Sequence, residues 1–339
     1  MEQSKLPMIE LHLHLDGAIP PETMWALAQE KGVPMPAETL EGFQHWLVET
    51  SDCADVNTYL ARFELPLQLM QDAPSIARVT KDLMTELSRQ GHIYDEIRFA
   101  PQLHRREGLT QRQAIEAVLE GRRQALAENP GYDAGILLCA MCIGPETVNM
   151  AENLETVRLA KEFLGRGVVG ADLAGAEGIV PLQSFHPVFD LARELGVPAT
   201  CHAGDSQGPD TVRDALSFGV RPNGHGHHIY DEPSLWEPAI ARGVTLEICP
   251  TSNIQCHTQP SYREHPAKKL LDAGLRLCIS TDNMTLAAVS LADEYRHCVE
   301  DMGLTPEDLG KMLVFAAEAA FLPEEKKQKL VARVREALS

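Results

Sequence analysis

The chain of 339 residues is poor in basic side chains, with 30 Lys and Arg against 49 Asp and Glu, a formal charge of −19. Such an acidic surface repels phosphate backbones and anionic lipid, which excludes nucleic acid and membrane as the main partner. No stretch reaches the roughly 18–20 apolar residues that span a bilayer. The segment Met1-Glu2-Gln3-Ser4-Lys5-Leu6-Pro7 has no basic-then-apolar leader. Glycine/serine linkers, repeats and low-complexity tracts are also missing, so one domain over 1–339 is expected. Eight cysteines without a leader are expected as reduced thiols, and the expected location is cytoplasmic. Cys139 and Cys142 form a CxxC, but no second pair accompanies them and they lie in an apolar run. Core packing is the reading for both.

What is present is a repeated pattern of short apolar runs followed by helical segments. Eight runs have strand length: 8–15, 95–102, 135–141, 168–175, 198–205, 223–229, 245–251 and 275–281. Several are continuously apolar at their start, as parallel strands covered on both faces require. Between them, Pro20 and Pro21 open a helix that stops at Gly32. Ile76, Val79, Leu83 and Leu87 form a stripe ended by Gly91. Thr110 to Gln113 reads as a capping box. Eight alternations predict the α/β class, a (β/α)8 TIM barrel. Two excesses exceed the bare barrel. A helical insertion over about 33–73, with Phe43, Trp46, Leu47, Tyr59, Phe63 and Leu65, follows strand 1 and is placed to cover the barrel mouth like a lid. Extra C-terminal helices begin near Pro306 and Pro323.

Four strand ends carry side chains able to bind metal or move protons. In Glu10-Leu-His12-Leu-His14-Leu-Asp16-Gly17, period two points His12 and His14 inward and Leu11, Leu13 and Leu15 outward. His202 to Asp205 closes strand five, Gly224-His225-Gly226-His227-His228 lies on strand six, and Ser280-Thr281-Asp282-Asn283 closes strand eight. Imidazoles and carboxylates crowded into one barrel mouth are costly unless a cation offsets them, and three imidazoles with one carboxylate suit zinc with room for a water.

The motifs ELHLHLDGA, DLAG, HAGD, GHGHH and STDN, in this order, resemble the adenosine deaminase branch of the amidohydrolase superfamily, from about Glu10 to the C-terminus. The resemblance implies one Zn2+ per subunit and hydrolysis of a purine 6-amino group with release of ammonia. It implies His12, His14, His202 and Asp282 as metal ligands, and Asp205, His225 and Asp282 as the catalytic groups. Asp205 would be the acid at purine N1 and His225 the group beside the attacking water. His14, Asp16, Gly175 and Asn283 would meet the substrate: Gly175 N–H at N3, Asn283 at N7 and Asp16 at the ribose 5′-hydroxyl. The expected partner is therefore a small purine nucleoside, adenosine or 2′-deoxyadenosine; the oligomeric state is not legible. Deamination of another 6-aminopurine (adenine, a 5′-modified adenosine or aminodeoxyfutalosine) stays open, as does a catalytically silent purine-binding protein.

Two departures from the family pattern stand out. HAGD replaces the usual HAGE, which draws the acid back by about one C–C bond, 1.5 Å, and Asn283 stands where a second aspartate is common. An amide offers purine N7 an N–H directly, so Asn283 is expected to keep binding. Away from these motifs, Arg98 is expected to pair with a carboxylate inside the barrel, and His227 to fill it. His228 is expected to support the site, with Ser206 and Gln207 orienting the acid. Cys201 is read as core, and His257, His265 and His297 as solvated.

Overall fold

Strands β1 (Met8–His14), β2 (His92–Phe99), β3 (Asp133–Cys142) and β4 (Val168–Gly175) pair in parallel in that order. So do β5 (His202–Ala203), β6 (Asn223–His225), β7 (Thr245–Ile248) and β8 (Arg276–Ile279). Single bridges join the two half-sheets, Ala171 to Ala199 on one side and Leu13 to Asp282 on the other, and close the ring. This is the (β/α)8 barrel that the alternation predicts. The computed structural model describes residues 6–53, 56–144, 147–220 and 223–339. Among them, no helix is long and apolar enough to cross a membrane.

The helices follow from local chemistry. Helix α1 spans Pro21–Lys31 and ends at Gly32 in the left-handed region. The insertion contributes α2 (Leu40–Glu49), α3 (Val56–Ala61) and α4 (Glu64–Leu69). In α5 (Ala73–Gln90) the Asp72 carboxylate accepts from Ser75 N–H at the start, and Gly91 ends the helix. Ile76, Val79, Leu83 and Leu87 are fully buried there, each worth roughly 1.5–3 kcal/mol of apolar transfer. Thr110 and Gln113 form the expected capping box of α6 (Gln111–Glu128). Then come α7 (Met150–Phe163), α8 (His186–Leu195), α9 (Pro209–Phe218), α10 (Trp236–Ala241), α11 (Pro250–Gln255) and α12 (Ala267–Asp272). The chain ends with α13 (Leu291–Glu300), α14 (Pro306–Ala319) and α15 (Glu324–Leu338).

Leu11, Leu13 and Leu15 are buried in the layer between barrel and helices, as strand alternation requires. Cys139, Cys142 and Cys201 are buried as expected, and none of the eight cysteines, all among the described residues, forms a disulfide.

Several strand boundaries differ from the sequence reading, most of all in β2, β5, β6 and β7. Strand β2 starts at His92 and stops at Phe99, because Pro101 opens a short 3-10 turn. Strand β7 stops at Ile248, because Pro250 opens α11 and carries Thr251, Ser252 and Asn253 onto a helix. Strands β5 and β6 are only two and three residues long, because Gly204 and then His225 with Gly226 turn left-handed. Helix α13, started by a Ser290/Asp293 capping box, is an element the sequence reading omits.

Candidate active site and metal centre

The short strands end at one mouth of the barrel, and their last residues converge. His14 Nε2 lies 3.1 Å from His202 Nε2. Asp282 Oδ1 lies 3.5 Å from His12 Nε2 and 3.4 Å from His14 Nε2. Four donors bonded to one ion at about 2.1 Å in tetrahedral array stand about 3.4 Å apart, the spacing seen here. The His12 Nε2 is buried and has no hydrogen-bond partner among the described residues, so its lone pair is free for a cation. Burial pushes His12 well down and His14 down to about 3, so both are neutral, the form that ligates. These side chains therefore fit a single divalent ion.

Two of the three imidazoles are aimed by carboxylates behind them. His12 Nδ1 is bonded to Glu247 Oε2 at 2.8 Å, and His202 Nδ1 lies 3.0 Å from Asp172 Oδ2. Arg98, fully buried, joins the two: it donates to Asp172 at 3.0 Å and to Glu247 at 2.9 Å. The expected ion pair of Arg98 is thus double, and it balances two carboxylates that burial alone would penalise. Ser252 donates to Asp282 Oδ2 at 2.7 Å, which leaves Oδ1 facing the imidazoles.

The backbone is strained at this point. Asp282 and His225 sit at φ 63° and 58°, a left-handed conformation that costs a non-glycine residue roughly 1–3 kcal/mol. Reciprocal backbone bonds, Asp282 N–H to His12 C=O at 3.0 Å and His14 N–H to Asp282 C=O at 2.8 Å, lock Asp282 onto β1.

Over the cluster opens a cavity of about 390 Å³. His14, Asp16, Gly175, His202, Asp205, His225, Asp282 and Asn283 all line it, while His12 lies behind them. Its outer wall is apolar, formed in part by Tyr59, Leu60, Phe63 and Leu67 from the segment between α2 and α5. No Lys or Arg is among the described residues that line it. Gly17 and Gly175 are required for shape. A Cβ on Gly17 would come within 1.9 Å of Asn283 Oδ1, and one on Gly175, at φ 108°, within 2.4 Å of Cys142 C=O. Burial pushes the Asp16 carboxyl up to about 6, and its Oδ1 has no hydrogen-bond partner among the described residues. A wider depression of about 490 Å³, lined by Phe189, Phe218 and Phe321, holds none of these groups.

Asp205 is anchored on one oxygen: Asn253 Nδ2 donates to Oδ1 at 2.7 Å and Thr258 Oγ1 at 3.2 Å, with His225 Nδ1 3.6 Å away. Ser206 and Gln207 do not orient it. Their backbone N–H groups, with those of Gly204 and Asp205, point to the Glu177 carboxylate at 2.7–3.1 Å. His227 is buried as expected. His228 faces Asp231 at 2.6 Å instead of the site. His257 is exposed and His297 half-buried, whereas His265 is only 3% exposed, because it packs beneath Asn253. Glu177, Glu247 and Asn253 are participants that the motif reading did not name, Asp172 entered it only as the first residue of DLAG with no role, and His265 was read as solvated. Asp172 and Glu247 did leave a trace, each a lone carboxylate inside an apolar strand.

The adenosine deaminase family model matches residues 7–337. An adenosine deaminase of Haemophilus ducreyi is 38% identical over 332 residues, 97% of this chain and 96% of the relative. Among solved structures, an Arabidopsis N6-mAMP deaminase superposes with a TM-score of 0.86 at 27% identity, covering 99% of this chain and all of that one. An amidohydrolase of Burkholderia ambifaria with bound Zn gives a TM-score of 0.87 at 22% identity, over 99% of this chain and 92% of that one, a likeness of fold.

Proposed function

The chain belongs to the adenosine deaminase family, and we propose from that premise that it is a zinc-dependent hydrolase of adenosine and 2′-deoxyadenosine. The observation that carries this reading is the convergence of three imidazole nitrogens and one carboxylate oxygen at ligand spacing beneath a purine-sized cavity, with Asp205 on its wall.

His12, His14, His202 and Asp282 would hold the zinc. When bound, the ion supplies the Lewis acidity that makes water nucleophilic near neutral pH. His225 stands beside the cluster, its ring centroid 4.7 Å from that of His12, and holds the attacking water on line to purine C6. Asp205 gives its proton to N1, so the ring accepts the pair of electrons displaced as the water oxygen bonds to C6. The C6–N6 bond then breaks, the amino group takes up one of the water's two protons and leaves as ammonia, the other water proton restores Asp205, and the proton on N1 stays in the inosine product. The Asn283 amide donates to N7, the Gly175 N–H to N3, and the unpartnered Asp16 Oδ1 accepts the 5′-hydroxyl.

The lining also supports a nucleoside over a nucleotide. A phosphate dianion would enter an apolar mouth beside Asp16 with no cation among the described lining residues to meet it. The test is ammonia release from adenosine, 2′-deoxyadenosine, adenine and AMP by zinc-loaded protein. Expected is a kcat/KM for adenosine at least about 100-fold above that for AMP, lost on chelation and restored by zinc. Equal rates on AMP would overturn the nucleoside reading, and no ammonia from any substrate would overturn the activity.

A further inference from the structure

Asn253 is fully buried on α11 and touches three functional groups. Its Nδ2 lies 2.7 Å from Asp205 Oδ1 and 3.3 Å from His225 Nδ1, while its Oδ1 lies 3.2 Å from His265 Nε2. On the far side, the backbone N–H of Ala267 donates to His265 Nδ1 at 3.2 Å.

These contacts have only one consistent polarity. A peptide N–H can only donate, so His265 Nδ1 is the bare nitrogen. Burial pushes His265 down to about 3, so the ring is neutral and its one hydrogen sits on Nε2. That hydrogen can be given only to an acceptor, which fixes the Asn253 amide with its oxygen toward His265 and its NH2 toward Asp205 and His225. The two amide hydrogens then serve Asp205 Oδ1 and His225 Nδ1. Thr258 Oγ1 lies against the same Oδ1 at 3.2 Å.

We infer that the backbone of Ala267, His265 and Asn253 form a one-way hydrogen-bond relay that saturates Asp205 Oδ1 as an acceptor and so confines the carboxyl proton to Oδ2. The inference rests on the proposed role of Asp205 as the N1 acid. Asn253 and His265 are positioning residues: neither needs to touch substrate. The relay also bears on the short acid at this site. An aspartate has one fewer torsion than a glutamate, and a carboxyl held by Asn253 and Thr258 presents one defined oxygen where a free one would alternate between two.

The test uses the zinc-loaded enzyme with His265→Leu, His265→Gln, Asn253→Asp and, separately, Asp205→Asn. A glutamine at 265 can donate from Nε2 as the imidazole does; leucine cannot. Expected for His265→Leu is a kcat for adenosine down by about 10-fold, with KM within about 3-fold and one zinc per chain retained. His265→Gln should recover to within about 3-fold of the native rate. A second readout separates orientation from general loosening: purine riboside should lose about 10-fold in binding relative to 1-deazapurine riboside, which has no N1 to accept a proton. Equal weakening of both ligands, or native kcat in His265→Leu, would overturn the relay. If His265→Leu does not fold, the near-isosteric Asn253→Asp, which removes the donor to Asp205, carries the same expectations. Substantial turnover by Asp205→Asn would overturn the acid itself. A dead Asp205→Asn beside native-like His265→Leu and Asn253→Asp would overturn the relay alone.

Discussion

At the scale of single residues, the metal-competent cluster depends on groups that never face the cavity. Glu247 accepts from both His12 Nδ1 and Arg98, so it fixes the tautomer that frees His12 Nε2. Glu247→Gln keeps the shape but removes the charge that both donors need. We expect zinc affinity to fall by about 10–100-fold, read by competition with a chromophoric chelator; native affinity in that variant would show that His12 is held by packing alone. The ligand candidates were legible in the sequence because β-strand periodicity sets His12 and His14 on one face and the other motifs close neighbouring strands. Their supports were not. Glu247 and Asp172 act through partners far away in the chain, and the roles of Asn253 and His265 exist only once α11 and the turn before α12 are folded against Asp205.

At the scale of elements, the fold class was readable from alternation, while element ends were decided by backbone events that hydrophobic patterning does not encode. Left-handed turns cut β5 and β6 short, and Pro250 converts the end of β7 into a helix. The insertion is the element with the largest functional lever. Arg62, next to Phe63 in the cavity wall, donates to Leu286 C=O at 2.5 Å, to Leu47 C=O at 3.2 Å and to Thr50 Oγ1 at 3.2 Å. One guanidinium thus ties α2 and the α3–α4 turn to the loop after β8, which carries Asp282 and Asn283. Arg62→Ala removes charge-assisted bonds worth roughly 1.5–3 kcal/mol each. The adenosine KM should rise by about 3–10-fold and proteolysis within 33–73 should accelerate, with zinc content unchanged. An unaltered KM with unaltered proteolysis would mean that apolar packing alone seats the insertion.

At the scale of the whole molecule, the acidity is interior as well as superficial. Glu10, Asp95, Glu96, Asp172, Glu247 and Glu294 are all at most 1% exposed. Arg98 answers Asp172 and Glu247, and His92 lies 2.7 Å from Asp95. Among the described residues no cation forms an ion pair with Glu10, Glu96 or Glu294, and burial pushes them up to about 7, 7 and 8. Glu294 is the clearest to test, since its Oε1 accepts from Thr251 N–H and a glutamine can do the same. Its folded-state value lies above the ordinary 4.5, so the folded protein binds the proton more tightly than the unfolded chain does. The stability that this confers is complete below about 4.5 and is lost as pH rises through about 8. Glu294→Gln cannot ionise and has no such loss. Native and variant should therefore unfold at similar denaturant concentrations near pH 5, and the variant should gain on the order of 1–4 kcal/mol relative to native by pH 9. Curves that stay parallel from pH 5 to 9 would show that the folded interior accommodates the ionised Glu294 as well as water does.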